Sequence, residues 1–537
     1  MTSNNAHPIT LSGIVSEGIK ISLAARMVRV ILVLLFVITL VRTAWVNDDA
    51  YITLRTVDNF VNGSGLTWNP GERVQAYTHP LWMFMLSGLY ALTHEAYFTT
   101  LALSFVLSLA AVILVSQAFT DDFFSGCIGL VVLCLSPAFV EYATSGLENP
   151  LTYFLLTLFL VQYFKLPERP TNWQIFSLGL TASLAMVNRL DTGLFYLPSI
   201  LLLLLRQRSW RTLWVLAASS FPILLWESFS LFYYGFLFPN TAYAKLNTGI
   251  PHNDLLRQGW QYYANALEWD PLTLLTILAG IILAFVKGKR SEKAIASGML
   301  LSLLYILYIG GDFMSGRFFA APLLVSVILL LRCLPKIPKP RKSAILTAAI
   351  LLGFIAHSPT LLNTPKSPET SIAPSGIADE RAYYFNDAGL INFDPHAPTT
   401  PNHPWARDGL ALKRRGVVSV EYSIGYLGYY AGPGVHIVDQ YALADPLLAR
   451  LPIPNPQEWR IGHYIREVPE GYVESLETGA NLLADPDLAR YYNKLKLIIA
   501  GEIWDPDRLK TILEMNLGKY DPLIEKYIQR RYQSKNK

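Results

Sequence analysis

The chain has 537 residues, of which 52% are hydrophobic and only 16% charged, against about 25% charged in an ordinary soluble domain. Long apolar runs with so few charges exclude a single soluble globule and point to a polytopic α-helical membrane protein. The net charge of +4 is small, the distribution of Lys and Arg says more, and no nucleic-acid partner is expected.

Lys20, Arg26 and Arg29 lead into an apolar stretch from about 27 to 46. That stretch is longer than a signal-peptide core and lacks a small-residue cleavage site. It reads as an uncleaved first span with its basic end in the cytoplasm. Asp48 and Asp49 follow directly, within Asn47-Asp48-Asp49-Ala50-Tyr51. A carboxylate within hydrogen-bond reach of a hydroxyl can act as a general base, and a second can bind a metal or orient substrate. An interfacial charge pair without chemistry is the plainer alternative. The polar loop 47–79 continues through Trp68, Gly71, Arg73, Tyr77, Thr78 and His79, a mixture of donors and stacking faces suited to sugars and phosphates. A tryptophan belt at the membrane interface accounts for the Trp residues alone.

Residues 80–92 form a short apolar piece, read as interfacial or buried against the bundle, and 98–118 reads as a crossing. Ser145-Gly146-Leu147-Glu148-Asn149 and Arg189-Leu190-Asp191 are short ionisable motifs near span ends, and an Arg–Asp pair is as often structural as catalytic. Three connectors are strongly basic: Arg206–Arg211, Lys287–Lys293 and Arg332–Lys342. The positive-inside rule places all three in the cytoplasm. Counting from them puts Asp48/Asp49, Glu148, Arg189/Asp191, Asn240–Lys245 and Asp312/Arg317 together on the outer side. About eleven spans result, with the N-terminus inside and residues 359–537 outside. Ionisable residues at membrane depth or helix ends are costly and usually functional, so five such clusters on one face describe a cavity. Lys245 and Arg317 suit a lipid-linked phosphate; snorkelling to headgroups is the alternative.

Two domains are expected: a transmembrane domain over 1–358 and an outer α/β domain over 359–537. In the second, 416–421 reads as a strand, 423–430 as a short helix and 435–439 as another strand. Asp439 then ends a strand, where ligand-facing residues are common. Residues 480–530 have helical periodicity. Cys127, Cys134 and Cys333 imply neither a disulfide framework nor a zinc site. No Walker loop, GxSxG, HExxH or GxGxxG motif occurs, so an outward-facing transferase would draw its donor from a lipid.

DDAYITLR, NGSGLTWNPGERVQAYTHPLW, SGLENPL, NRLDTG, FPNTAYAK and GGDFMSGRF occur in this order. The set resembles the GT-C glycosyltransferases, and within them the terminal β-(1→2)-arabinofuranosyltransferase family; YSIGYLGYY, VDQYALADP and the Gly462-His463 region extend the likeness into the tail. The resemblance implies a multi-span GT-C bundle in the bacterial cytoplasmic membrane. It implies transfer of a sugar from a polyprenyl-phosphate donor to a cell-envelope glycan, commonly with inversion. It places the family's acidic motif on Asp48 and Asp49, with Asp48 slightly favoured as base. The donor and its phosphate are expected at Arg73, Tyr77, His79, Glu148, Arg189, Asp191, Asn240, Lys245, Asp312 and Arg317. The acceptor is expected at Trp68, Tyr426, Asp439 and His463, and a divalent cation bridging Asp49 to the phosphate stays open. The rival functions are a flippase or transporter of lipid-linked glycans and a non-catalytic scaffold of envelope or motility assembly.

Overall fold

A computed structural model describes residues 23–362 and 372–533; Lys20, and with it part of the basic N-terminal signal, lies outside them. Among the described residues the regular elements are helices, apart from one two-stranded sheet. Two of the described helices, Tyr97–Ala118 and Arg317–Lys336, are long and apolar enough by themselves to cross a membrane. Two bent pairs meet the same test jointly: Trp210–Ser219 with Phe221–Tyr233, bent by 49°, and His252–Trp269 with Pro271–Lys287, bent by 109°. Other apolar runs expected to span form shorter helices, among them Phe123–Leu135, Asn149–Lys165 and Lys339–Ile355. Leu23–Thr43 has 21 residues but carries Arg26, Arg29 and Arg42.

The breaks have local causes. Ser220 separates Trp210–Ser219 from Phe221–Tyr233, and Pro222 sits in the first turn of the second helix, where it needs no N–H partner. Asp270 ends His252–Trp269 and caps Pro271–Lys287, accepting the N–H of Thr273 at 3.1 Å. The piece read as short, 80–92, is the helix Pro80–Thr93.

The connectors expected on one side of the membrane are joined to each other. Lys342 Nζ lies 2.7 Å from Asp122 Oδ1, and Arg332 pairs with Glu292 at 2.8 Å. Lys336 donates to the Lys287 carbonyl and Gln207 to that of Glu168. The ionisable clusters expected on the other side lie at the opposite ends of these helices: Asn149–Lys165 runs from Glu148 to the connector that holds Glu168.

The expected strand–helix–strand unit is present. Val418–Glu421 (β1) and His436–Asp439 (β2) pair in parallel, with Val418 opposite His436 and Glu421 opposite Asp439, and the helix Tyr426–Ala431 connects them. This unit does not keep a core of its own. Ile52, Trp68 and Ala76 pack with Ile424, Leu427, Val435 and Ile437, while Val74, Phe236 and Ala244 join Val438, Leu495 and Ile498. Tyr384, Phe385 and Tyr426 share the bundle's main core with Tyr51, Trp82 and Phe139. Hydrophobic packing thus runs across residue 358. A buried ion pair fastens the same seam: Arg381 Nε lies 2.9 Å from Glu141 Oε1, both side chains almost wholly enclosed.

Candidate active site

Asp48 and Asp49 begin the helix Asp48–Val61, where the positive end of the helix dipole favours carboxylates. Asn47 caps it, its Oδ1 accepting the N–H of Asp49 at 2.7 Å. Asn47 also donates from Nδ2 to Glu380 Oε2 at 3.2 Å, so a carboxylate more than three hundred positions away fixes the cap.

The two aspartates have different surroundings. Asp48 Oδ1 accepts the backbone N–H of Tyr426 at 2.7 Å. The approach is so close that a Cβ on Gly425 would lie 1.9 Å from the Asp48 carbonyl oxygen. Burial pushes Asp48 up to about 7, against the hydrogen bond from Tyr426, and the Asp49 charge adds to the rise. The Asp49 carboxylate has no hydrogen-bond or ion-pair partner among the described residues. Burial raises it too, while Arg317 and Lys245 draw it down and Asp312 and Glu148 push it up.

Both line a cavity of about 80 Å³ with Lys245, Phe313, Glu380, Tyr384 and His463; residues 52, 405, 422–424, 441, 443 and 462 complete its walls. Lys245, on the helix Asn240–Leu246, likewise has no hydrogen-bond or ion-pair partner among the described residues. Although the residue is exposed at the surface, desolvation lowers its hold on its proton, Asp312 and Asp49 oppose this, and Arg317 and Arg189 reinforce it. Burial pushes Glu380 up to about 8, and Asp49 adds to the effect.

Beside this cavity lies an ionic cluster centred on Glu148, which is 1% exposed. Arg189 Nη1 lies 2.7 Å from its Oε1 and Arg317 Nη2 3.2 Å from the same atom. Arg189 grips Asp191 through two parallel bonds of 2.8 and 3.0 Å, and Arg317 reaches Asp312 at 3.5 Å. Burial by itself would raise Glu148, but Arg317, His79 and Arg189 hold it well below the carboxylate range. Burial lowers His79 to about 4, with Glu148 opposing and the two arginines reinforcing. His79 Nδ1 lies 3.3 Å from Glu148 Oε2, and Nε2 meets Thr53 Oγ1 at 2.8 Å. Arg189, Asp191 and Arg317 line a second, smaller cavity whose other walls include Phe195, Ile306 and Phe318. Polar and apolar walls meet there, as an amphiphile's head and chain require.

The remaining expected residues lie elsewhere. Arg73 donates from Nη2 to the carbonyls of Ile498 and Gly501, at the end of Pro486–Ala500, and lines neither cavity described above. Tyr77 is buried and shares a 2.9 Å hydrogen bond with the Tyr234 hydroxyl. Asn240 donates to the carbonyls of Ala442, Leu443 and Asp445, docking the C-terminal region onto the bundle. Trp68 is fully buried under the Arg55 guanidinium, 4.2 Å from its ring, and presents no face to an acceptor. Tyr426 is also fully buried, its hydroxyl donating to the Val46 carbonyl. Asp439 is enclosed in its own turn, accepting the N–H groups of Tyr441 and Ala444, each at 2.9 Å. Of the four residues expected to meet the acceptor, His463 alone lines the cavity.

Among the described residues no three His, Cys, Asp or Glu side chains converge as a metal ligand set. Asp48, Asp49 and Glu380 share the cavity without forming such a set, and Asp49 already feels the Arg317 and Lys245 charges, so the residues present do not fit a divalent ion. Glu380 was not indicated by the sequence; it opens the helix Glu380–Ala388, next to the Asp379 cap, and its charge is unremarkable in a polar region.

No protein-family model matches the chain. Among curated proteins it is 28% identical over 513 residues to a terminal β-(1→2)-arabinofuranosyltransferase of Mycobacterium tuberculosis, with 78% of this chain and 80% of that protein covered. It is 29% identical over 327 residues to the protein of the same name from Corynebacterium glutamicum, with 52% of this chain and 46% of that protein covered. Among solved structures, ArnT from Cupriavidus metallidurans bound to undecaprenyl phosphate aligns with a TM-score of 0.49 at 11% identity, over 80% of this chain and 90% of that one. Its apo state aligns with a TM-score of 0.48 at 13% identity, over 80% and 89%. By its likeness to the two curated relatives the chain resembles the terminal β-(1→2)-arabinofuranosyltransferases, and it is an enzyme of the transferase class.

Proposed function

We propose that this chain is a membrane glycosyltransferase that moves a sugar, arabinofuranose first among the candidates, from a polyprenyl-phosphate donor to a cell-envelope glycan on the outer face of the bacterial cytoplasmic membrane. The observation that carries this reading is the unpartnered Asp49 carboxylate, which shares a cavity with the unpartnered Lys245 beside the Glu148–Arg317 cluster. Base and cation are thus held close without neutralising each other through a direct contact.

The donor phosphate sits between Lys245 and Arg317, and its lipid chain leaves past Phe195 and Ile306. Glu148 holds Arg189 and Arg317 in place. An acceptor hydroxyl hydrogen-bonds to Asp49, and its oxygen forms the new bond to C1 as the bond from C1 to the phosphate oxygen breaks. The proton passes to Asp49, and the electron pair leaves on the lipid phosphate. That leaving group needs charge stabilisation rather than a proton, so one base suffices. Asp48 Oδ1 is engaged by the Tyr426 N–H, which supports Asp49 rather than Asp48 as the base. Inversion at C1 follows if the hydroxyl attacks from the face opposite the phosphate, and NMR of the product anomer reads this directly.

The test is transfer from radiolabelled polyprenyl-phosphate arabinofuranose to an oligoarabinoside by purified wild type and Asp49→Asn. Loss of a general base lowers the rate by about 10²–10⁴-fold. Equal product from both proteins would remove Asp49 from the chemistry. No transfer by wild type from any lipid-linked sugar would favour the flippase reading.

A further inference from the structure

We propose that Trp405, Tyr422 and Tyr441 form a sugar-binding wall for the acceptor, with Glu380 as its polar contact, so that acceptor and donor phosphate enter from opposite sides of Asp49. This rests on the glycosyltransferase reading above and assigns the half of the site that Trp68, Tyr426 and Asp439 do not supply.

Tyr422 follows β1 directly, and Tyr441 lies two residues beyond β2. The parallel register that sets Glu421 against Asp439 brings them together, their rings 6.0 Å apart. Asp439 pins the turn by accepting the Tyr441 N–H. From Tyr441 the wall continues edge-to-face to His463 at 5.1 Å and on to Phe313 at 4.6 Å. Gly462 makes that continuation possible, since a Cβ there would lie 2.4 Å from the Phe313 ring at a φ of +76°. Trp405 closes the other flank from the first turn of Pro404–Lys413, packed on His403 and Tyr384.

Three observations suit this wall to a sugar ring. All three side chains line the cavity that holds Asp49. The Trp405 indole N–H and the Tyr422 and Tyr441 hydroxyls have no hydrogen-bond partner among the described residues, and Tyr422 is 48% exposed. Glu380 spends one oxygen on Asn47, and its other has none among the described residues. Flat apolar faces with polar tips match the C–H face and hydroxyl rim of a sugar. The side chains sort the two substrates: this cavity sets three carboxyl groups, Asp48, Asp49 and Glu380, against one cation, Lys245, whereas the second sets two arginines, Arg189 and Arg317, against Asp191. The ligand class here is a neutral glycan end.

Steady-state kinetics on wild type, Tyr422→Ala and Trp405→Phe, with acceptor and donor varied separately, test the assignment. The expected result is a roughly tenfold rise in acceptor KM for Tyr422→Ala and a smaller rise for Trp405→Phe, with donor KM and melting temperature unchanged. An unchanged acceptor KM in both variants, or an equal rise in donor KM, overturns it. Saturation-transfer NMR of an oligoarabinoside on wild type and Tyr422→Ala keeps the two readings apart. Signal lost in the variant supports the wall even if wild type transfers no sugar and the function fails; equal signal from both overturns the wall even if transfer is observed.

Discussion

The backbone N–H of Tyr426 donates to Asp48 Oδ1 at 2.7 Å, across 378 positions of sequence. That bond separates the roles of two adjacent aspartates. Asp48 ties the first polar loop to the C-terminal region, whereas Asp49, on the same cavity, has no such partner for its carboxylate among the described residues.

Asp48→Ala should therefore act on stability. It strands the Tyr426 N–H in a buried seam, at a cost of about 1–3 kcal/mol. Asp48→Asn keeps an accepting oxygen and should retain most of the stability and a measurable share of transfer. Thermal unfolding in detergent, run beside the activity assay, checks both; Asp48→Asn as inactive as Asp49→Asn would return the base role to Asp48.

Glu148→Gln should be among the most disruptive single changes in the outer cluster. It leaves Arg189 and Arg317 without the carboxylate they share, and breaking a buried pair from one side costs about 3–5 kcal/mol. Donor KM should rise with the loss of melting temperature. A fully stable Glu148→Gln protein would mean that the arginines find other partners.

Arg73→Gln should leave donor KM unchanged, because the guanidinium is engaged with Ile498 and Gly501 carbonyls. Its effect should appear in the melting temperature instead. Donor KM raised tenfold would place Arg73 in the phosphate site after all.

The pH dependence has a defined sign. Burial raises Asp48 to about 7 and Glu380 to about 8, so the folded chain binds these protons more tightly than the unfolded chain. Their stabilising contribution is full below the unfolded carboxylate pKa of about 4 and is lost as pH rises towards about 8. Glu148 runs oppositely: its contribution is present above the unfolded value and is lost as pH falls. Glu380→Gln should flatten the fall in melting temperature between about pH 5 and 8. An unaltered slope counts against a proton on Glu380.

Activity should follow Asp49. Burial raises its pKa while Arg317 and Lys245 pull it down, so Lys245→Met removes one restraint. The acid limb of the kcat/KM profile should then move to higher pH, with a weaker hold on donor. A limb that stays in place would detach Asp49 from that titration.

Much of this was legible in the sequence, for a physical reason. Charges at helix ends stand out in an apolar chain because they are costly there, and Glu148, Arg189, Asp191, Asp312 and Arg317 do meet. The strand–helix–strand unit was legible from β-branched alternation bounded by turn residues. Trp68 and Tyr426 were misplaced because an amphipathic aromatic residue has the same letter under Arg55 as it has in a cavity wall. Glu380, Tyr422 and Tyr441 gave no contrast, lying in a region where polar residues are common; only the fold sets them beside Asp49. The bend at Asp270 likewise needed the packing of Tyr262 and Trp269 to be seen.

The Asn47 cap has a consequence for biogenesis. The first turn that carries Asp49 takes partners from Glu380 and, through Asp48, from Tyr426. These are encoded in the last third of the message. During synthesis the two aspartates leave the ribosome long before the groups that orient them, so the first turn of this helix takes its final partners only once the C-terminal region has been made.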